Sequence, residues 1–158
     1  PDTISVGWDA SMERICTYGL FKNKENDQTF WVFNTHFDHR GHLAREKSTE
    51  LIIKTINRLN TENLPVILTG DFNLTPETSS IELLQKNFHD AQGALSKTDP
   101  FYGTTNGFGN LKNAGHRIDY VFTKKIEVKS AKHLYKKTPL EGWASDHHPV
   151  VATLELIE

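Results

Sequence analysis

Four short segments set chemically capable side chains at the end of an apolar run. They are Thr35-His36, Gly70-Asp71-Phe72-Asn73, Arg117-Ile118-Asp119-Tyr120 and Ser145-Asp146-His147-His148-Pro149. The second follows Leu64-Pro65-Val66-Ile67-Leu68-Thr69, which reads as a buried strand ending in a turn. Taken alone, Asp71-x-Asn73 fits an Asx-turn, and His36 fits a packed or surface residue. Asp119 is different: it sits inside Ile118-Asp119-Tyr120-Val121-Phe122, where a carboxylate is costly unless it is paired. A histidine is the natural partner, because Asp fixes the imidazole tautomer and raises its basicity. His147 and His148 are adjacent on an extended segment, so only one of them can point to such a site. Hard oxygen ligands combined with imidazoles suit metal-assisted attack on a phosphate.

Those clusters need elements to bring them together. Residues 14–22 and 29–35 read as a hairpin around the polar turn 23–28, with the second strand apolar enough for burial on both faces. Residues 43–60 show a helical period, with Ala44, Ser48, Leu51, Ile52, Thr55, Ile56 and Leu59 on one face. Residues 65–69 read as a buried strand. A second helix is expected to open at Pro76 and Glu77 with Thr75 as cap and Ile81, Leu83 and Leu84 inward. Residues 93–116 read as a long irregular loop. Residues 117–123 and 126–134 are expected to form a hairpin around Lys124-Lys125, and 149–156 the last strand. This order predicts an α/β fold, a mixed β-sheet with helices on one side. All four polar clusters then lie at strand ends, where α/β proteins build sites.

Composition narrows the class. A chain of 158 residues with 37% hydrophobic and 24% charged residues can bury a core and does not read as disordered. A net charge of −2 argues against a general polyanion binder and leaves a local basic patch open. The single cysteine, Cys16, excludes an internal disulfide and leaves the compartment unreadable. No stretch approaches the roughly 18 apolar residues of a membrane span.

Taken in order, Asn34-Thr35-His36-Phe37-Asp38-His39-Arg40-Gly41, Gly70-Asp71-Phe72-Asn73, Arg117-Ile118-Asp119-Tyr120 and Ser145-Asp146-His147 resemble the signature of the endonuclease/exonuclease/phosphatase superfamily, which includes pancreatic DNase and exonuclease III. The resemblance implies part of a four-layer α/β/β/α sandwich with helices on the outer face. It implies metal-dependent hydrolysis of phosphate esters, as a phosphodiesterase, nuclease or phosphatase, with Mg²⁺ as cofactor and Mn²⁺ as the alternative. By resemblance, Asp71 faces the attacking water, Asn73 orients that water or a phosphate oxygen, His147 stabilises charge on the phosphate while paired with Asp119, and His36 binds a phosphate oxygen. Asp146 and Asp71 are the expected metal ligands, and Arg14 a further phosphate contact. A weaker likeness sets His36, Asp38 and His39 against the zinc motif of metallo-β-lactamases, but Asn34 stands where that motif begins with histidine.

The family's N-terminal Asn and its principal metal-binding Glu have no counterpart here. Residues 1–158 are therefore expected to be one domain without its N-terminal part, weak or inactive alone, with an exposed sheet face that favours self-association. The alternative function is a silent module that binds a phosphorylated ligand or a partner. The substrate is a phosphate ester; nucleic acid is allowed but not demanded by charge. Gly103-Thr104-Thr105-Asn106-Gly107-Phe108 resembles a family loop, with Thr105 in place of its aromatic, which makes Asn106 and Phe108 candidate substrate contacts. Arg45, in the basic stretch 38–47, is another. Lys124, Lys125, Lys129, Lys132, Lys136 and Lys137 read as either a nucleic-acid groove or, the reading preferred here, a solvated face.

Overall fold

A computed structural model of the chain describes residues 3–110 and 115–157. Pro1 and the 111–114 part of the long loop lie outside the described residues. Among the described residues the elements are β1 (Cys16–Lys22), β2 (Thr29–His36), α1 (His42–Leu59), β3 (Val66–Asp71), α2 (Ser79–Asn87), β4 (His89–Asp90), β5 (Asp119–Lys124), β6 (Ile126–His133) and β7 (Val150–Leu156), with a 3₁₀ turn at Gly107–Gly109.

The first five strands to pair form a mixed sheet in the order β1-β2-β3-β5-β4, and β6 and β7 form a separate antiparallel pair. Strand β2 runs parallel to β3, so the chain must cross over between them, and α1 makes that crossing. Alternation does the rest. On one face, Phe33, Leu68 and Phe122 fall in one row across β2, β3 and β5, and together with Val66 and Tyr120 they pack under Ile52, Ile56, Ile81 and Leu84 of the two helices. On the other face three rows are read off the same registers: Val32-Ile67-Thr123, Asn34-Thr69-Val121 and His36-Asp71-Asp119. Hydrophobicity falls along these rows toward the strand ends, and the last carries only titratable groups.

The mixed sheet, the β1–β2 hairpin and both helices agree with expectation, and four details differ. Strands β5 and β6 are not hairpin partners: β5 has β3 on one edge and β4 on the other, so no edge is free for β6, which pairs with β7. Lys125, with φ 55°, turns the chain out of the sheet between them. The start of α2 is later than expected, because Thr75 spends its carbonyl on Thr78 N–H and Thr78 Oγ1, a turn that holds Pro76 and Glu77 outside the helix. The buried side of α1 is Ala44, Thr49, Ile52 and Ile56, and Leu51 faces outward. Only Phe33 and Thr35 of β2 are fully buried, since helices cover one face of that strand.

Candidate active site

The row His36-Asp71-Asp119 is set by pairing alone. Cα registers place His36 opposite Asp71 and Asp71 opposite Asp119 on three adjacent strands. Phe72 N–H donates to Ile118 O at 2.9 Å, which makes Asp71 and Asp119 a non-hydrogen-bonded antiparallel pair, the kind whose side chains stand closest. Two carboxylates opposite each other repel unless something positive lies between or beside them.

Each acid has such a neighbour. Asp119 Oδ2 accepts from His147 Nδ1 at 2.8 Å, which commits that nitrogen and leaves Nε2 for another partner. Asp71 Oδ2 is 3.3 Å from His36 Nε2. Its Oδ1 accepts from Asn73 N–H at 2.8 Å, so the Asx-turn expected at Asp71-x-Asn73 is present. Asn73 adopts φ 50° and its Nδ2 donates to Phe37 O, which locks the turn against the end of β2. Gly70 is required just before it: a Cβ at its φ of 152° would stand 2.0 Å from Thr35 O.

The electrostatics follow from this crowding. Burial, and next the nearby Asp119, push the Asp71 carboxyl above the ordinary carboxylate range, against the pull of Asn73 N–H, His36 and His147. The hydrogen bond to Asp119 holds His147 above the ordinary imidazole value, outweighing its partial burial, with Asp71 and Asp146 adding to it. His148 turns the other way, its ring stacked on Tyr135 at 3.8 Å between centroids, and burial lowers its pKa. Only one of the adjacent histidines reaches the site, as alternation requires.

Among the described residues, Asp71, Asp119 and His147 offer ligand atoms all within 4.8 Å of one another, a set able to hold a metal ion. Asp146 is exposed at the rim. Its carbonyl accepts from Asn106 N–H and Gly107 N–H, so the 106–109 turn is fastened beside it. Asn106 also gives Nδ2 to Ser145 O and takes Phe108 N–H. The Phe108 ring is 66% exposed on a residue with φ 55°, an unfavourable conformation for a bulky side chain. Arg14 and Arg45 engage the Asp38 loop: Arg14 Nη2 contacts His39 Nδ1 at 3.1 Å, and Arg45 donates to Asp38 O at 3.1 Å.

Asp38 itself is structural. It is 1% exposed and its oxygens accept from Ser11 N–H, Ser11 Oγ, Met12 N–H, Arg40 N–H and Gly41 N–H. Burial opposes its ionisation, but the Gly41 and Arg40 amides and Ser11 outweigh that and hold it far below the usual carboxylate range. A carboxylate so fully engaged is not free for zinc, which removes the metallo-β-lactamase likeness. Sequence reading also passed over Asp90, whose Oδ1 lies 2.5 Å from Arg117 Nη2, with both side chains buried. A two-residue strand gives no periodic signal by which to find it.

This chain belongs to the Endonuclease/Exonuclease/phosphatase family, whose model matches residues 6–147. An uncharacterized protein of Acanthamoeba polyphaga mimivirus is 31% identical over 135 residues, covering 80% of this chain and 50% of its own length. A family protein from Bacteroides thetaiotaomicron superposes with a TM-score of 0.87 at 33% identity, covering all of this chain and 61% of that one. The mannosyl-6-phosphatase of Bacteroides thetaiotaomicron VPI-5482 is similar at a TM-score of 0.82 and 34% identity, over 95% of this chain and 60% of that one. The chain thus spans half the length of the curated relative and about three fifths of these solved structures.

Proposed function

We propose that the protein hydrolyses phosphate esters with the help of a divalent cation, Mg²⁺ or alternatively Mn²⁺. The observation that carries this reading is the His36-Asp71-Asp119 row closed by the 2.8 Å Asp119–His147 hydrogen bond. Phosphoryl transfer needs positioning and charge neutralisation more than covalent chemistry. In this reading Asp71 accepts a proton from the attacking water as its oxygen bonds to phosphorus. Burial beside Asp119 raises the basicity of Asp71 for that task. His147, protonated and held by Asp119, donates a hydrogen bond from Nε2 to a phosphoryl oxygen and His36 donates to a second, while the ester bond breaks and the leaving oxygen takes a proton from solvent to depart as an alcohol. Asn73 has one amide hydrogen on Phe37 O and directs the other at the water or the phosphate.

The donor set fits a hard cation: two facing carboxylates, one held above its usual pKa, are what a divalent ion relieves. Asp71 and Asp119, grouped with His147, would hold it, while Asp146, the other ligand expected from the sequence, stands exposed at the rim outside that group. Bound there, the cation neutralises charge developing on the phosphoryl oxygens.

For the substrate, the likeness to a mannosyl-6-phosphatase at 34% identity favours a phosphorylated sugar over nucleic acid. The lysine-rich face supports the same choice: Lys129 is engaged by Glu127 and Glu155, and Lys137 lies 3.6 Å from Glu141, so part of its charge is spent locally. Arg14, Arg45, Asn106 and Phe108 are retained as candidate substrate contacts, with Asn106 and Phe108 favoured by their place beside Asp146. The test is hydrolysis of mannose 6-phosphate, a dinucleotide and p-nitrophenyl phosphate with and without Mg²⁺. His147→Gln and Asp71→Ala are expected to lower turnover by roughly 10²–10⁴-fold. Undiminished turnover in both variants refutes the assignment.

A further inference from the structure

Thr104 joins the two halves of the His147–Asp119 pair. It is fully buried, at 0% exposure. Its hydroxyl oxygen accepts from Ile118 N–H at 3.0 Å and Asp119 N–H at 3.2 Å. Its carbonyl oxygen accepts from His148 N–H at 2.6 Å, and the next residue, Thr105, bridges His147. One residue therefore grips the backbone under the acid and the backbone under the base, which lie 28 positions apart in the chain.

The sheet makes this grip necessary. Because Asp71 and Asp119 are a non-hydrogen-bonded pair, Asp119 N–H points away from β3. On that side β4 reaches only Thr123 and Phe122, so among the described residues no strand accepts it. A buried N–H without an acceptor is costly, and the Thr104 hydroxyl fills the place a neighbouring strand would otherwise take. The hydroxyl is itself oriented: Thr104 Oγ1 lies 3.3 Å from His116 O, to which it donates. The loop carrying it is fixed from behind by Tyr135, whose hydroxyl donates to Gly103 O at 2.5 Å. At Gly103 a Cβ would come within 2.6 Å of the Gly115 backbone, so the two loop limbs must touch there.

We propose that Thr104 is the positioning residue of the site: through its hydroxyl on Asp119 N–H and its carbonyl on His148 N–H, it sets the distance between Asp119 and His147. This rests on the hydrolase reading for its consequence in turnover, but not for its geometry. The residue touches neither substrate nor the reacting atoms.

The experiment compares Thr104→Val, which keeps shape and drops the acceptor, with Thr104→Ser, which keeps the hydroxyl. Thr104→Cys, with a weaker acceptor, serves where the valine variant does not fold. In the metal-free chain the hydrogen-bonded His147 Nδ1 proton is followed by NMR at low temperature. Expected are a downfield resonance in the wild type and Thr104→Ser, upfield movement and faster solvent exchange in Thr104→Cys, and more of both in Thr104→Val. In turnover, kcat falls roughly tenfold or more in Thr104→Val, with KM changed less than about twofold, and Thr104→Ser restores it. A valine or cysteine variant that melts earlier but keeps the wild-type Nδ1 resonance overturns the proposal, since that is the behaviour of a merely structural threonine. If the resonance moves as expected while no variant, wild type included, hydrolyses any ester, the positioning role stands and the hydrolase reading falls.

Discussion

At the residue scale the site stores its function as unfavourable charge. Asp71 faces Asp119 across the closest kind of strand pair, and burial, then Asp119, raise its pKa. A carboxyl whose folded pKa lies above its unfolded value weakens the fold wherever it is ionised, so the penalty is absent below the unfolded carboxylate value and grows as pH rises through the folded one. Asp71→Asn keeps the acceptor for Asn73 N–H and removes the charge. At pH 7 this variant is expected to melt on the order of 2 °C higher than wild type while losing turnover, with the gain vanishing in acid. Calorimetry across pH checks this, and an unchanged or lowered melting temperature at pH 7 contradicts it. His147 has the opposite sign: its raised pKa adds stability that is full below the unfolded imidazole value and is lost as pH rises through the folded one. Turnover that needs Asp71 ionised and His147 protonated should rise through an apparent pKa above the usual carboxylate range and fall through one above the usual imidazole value. Both belong to the coupled cluster rather than to single residues. A pH–rate profile that is flat from pH 5 to 8 would rule out the pair in these roles.

At the element scale, what was legible in the sequence was what period and motif reveal. Strands β2, β3 and β5 and helix α1 carry continuous apolar patterns, and the four polar clusters sit at strand ends, so a single site drawn from those clusters, with Asp119 paired to a histidine, could be expected from the sequence, whereas the row His36-Asp71-Asp119 could not. Pairing across distance was not legible. Nothing local in Lys124-Lys125 says that β5 has both edges occupied and must leave β6 to β7. Nor does anything near His42 announce that Asp9 caps α1, taking Leu43 N–H and Ala44 N–H from more than thirty residues upstream. Arg14 and Arg45 carry the charge a phosphate contact needs, yet the buried Asp38 loop engages both, a demand that spacing does not display. Gly70 shows the strength of these tertiary demands. Its Cβ would meet Thr35 O at 2.0 Å, so β2 and β3 could not keep the register that sets His36 against Asp71. Gly70→Ala is expected to cost about 3 kcal/mol, measured by urea unfolding, and to lose the His36–Asp71 contact. A cost under about 0.5 kcal/mol would mean that the strands part without penalty.

At the scale of the whole molecule the two faces of the main sheet are unequally covered. Helices α1 and α2 bury Phe33, Leu68 and Phe122 to 1% exposure or less. The opposite face meets the β6–β7 pair and, at its other end, the 145–149 segment that carries His147; between it and β6–β7 lies an open groove of about 730 Å³ lined in part by Phe21, Phe30, Ile67, Ile126, Leu154 and Leu156. Phe21 is 52% exposed at its mouth, and Tyr18 and Leu20, on the helix-facing side of the same edge strand, are 49% and 53% exposed. Single exposed apolar residues are ordinary, but a contiguous apolar surface together with a free strand edge drives association. The 158-residue chain is therefore expected to self-associate, its sedimentation coefficient rising with concentration from micromolar upward. Leu154→Lys, which places a charge in the groove, should hold it monomeric, whereas Lys24→Glu in the exposed β1–β2 turn should change nothing. The groove lies at the opposite end of the strands from the His36-Asp71-Asp119 row, since Phe21 pairs with Phe30 at the start of β2 and His36 ends it. Association through it should thus leave turnover per chain unchanged across the same concentrations. A drop in turnover that tracks association would place the contact over the catalytic row instead.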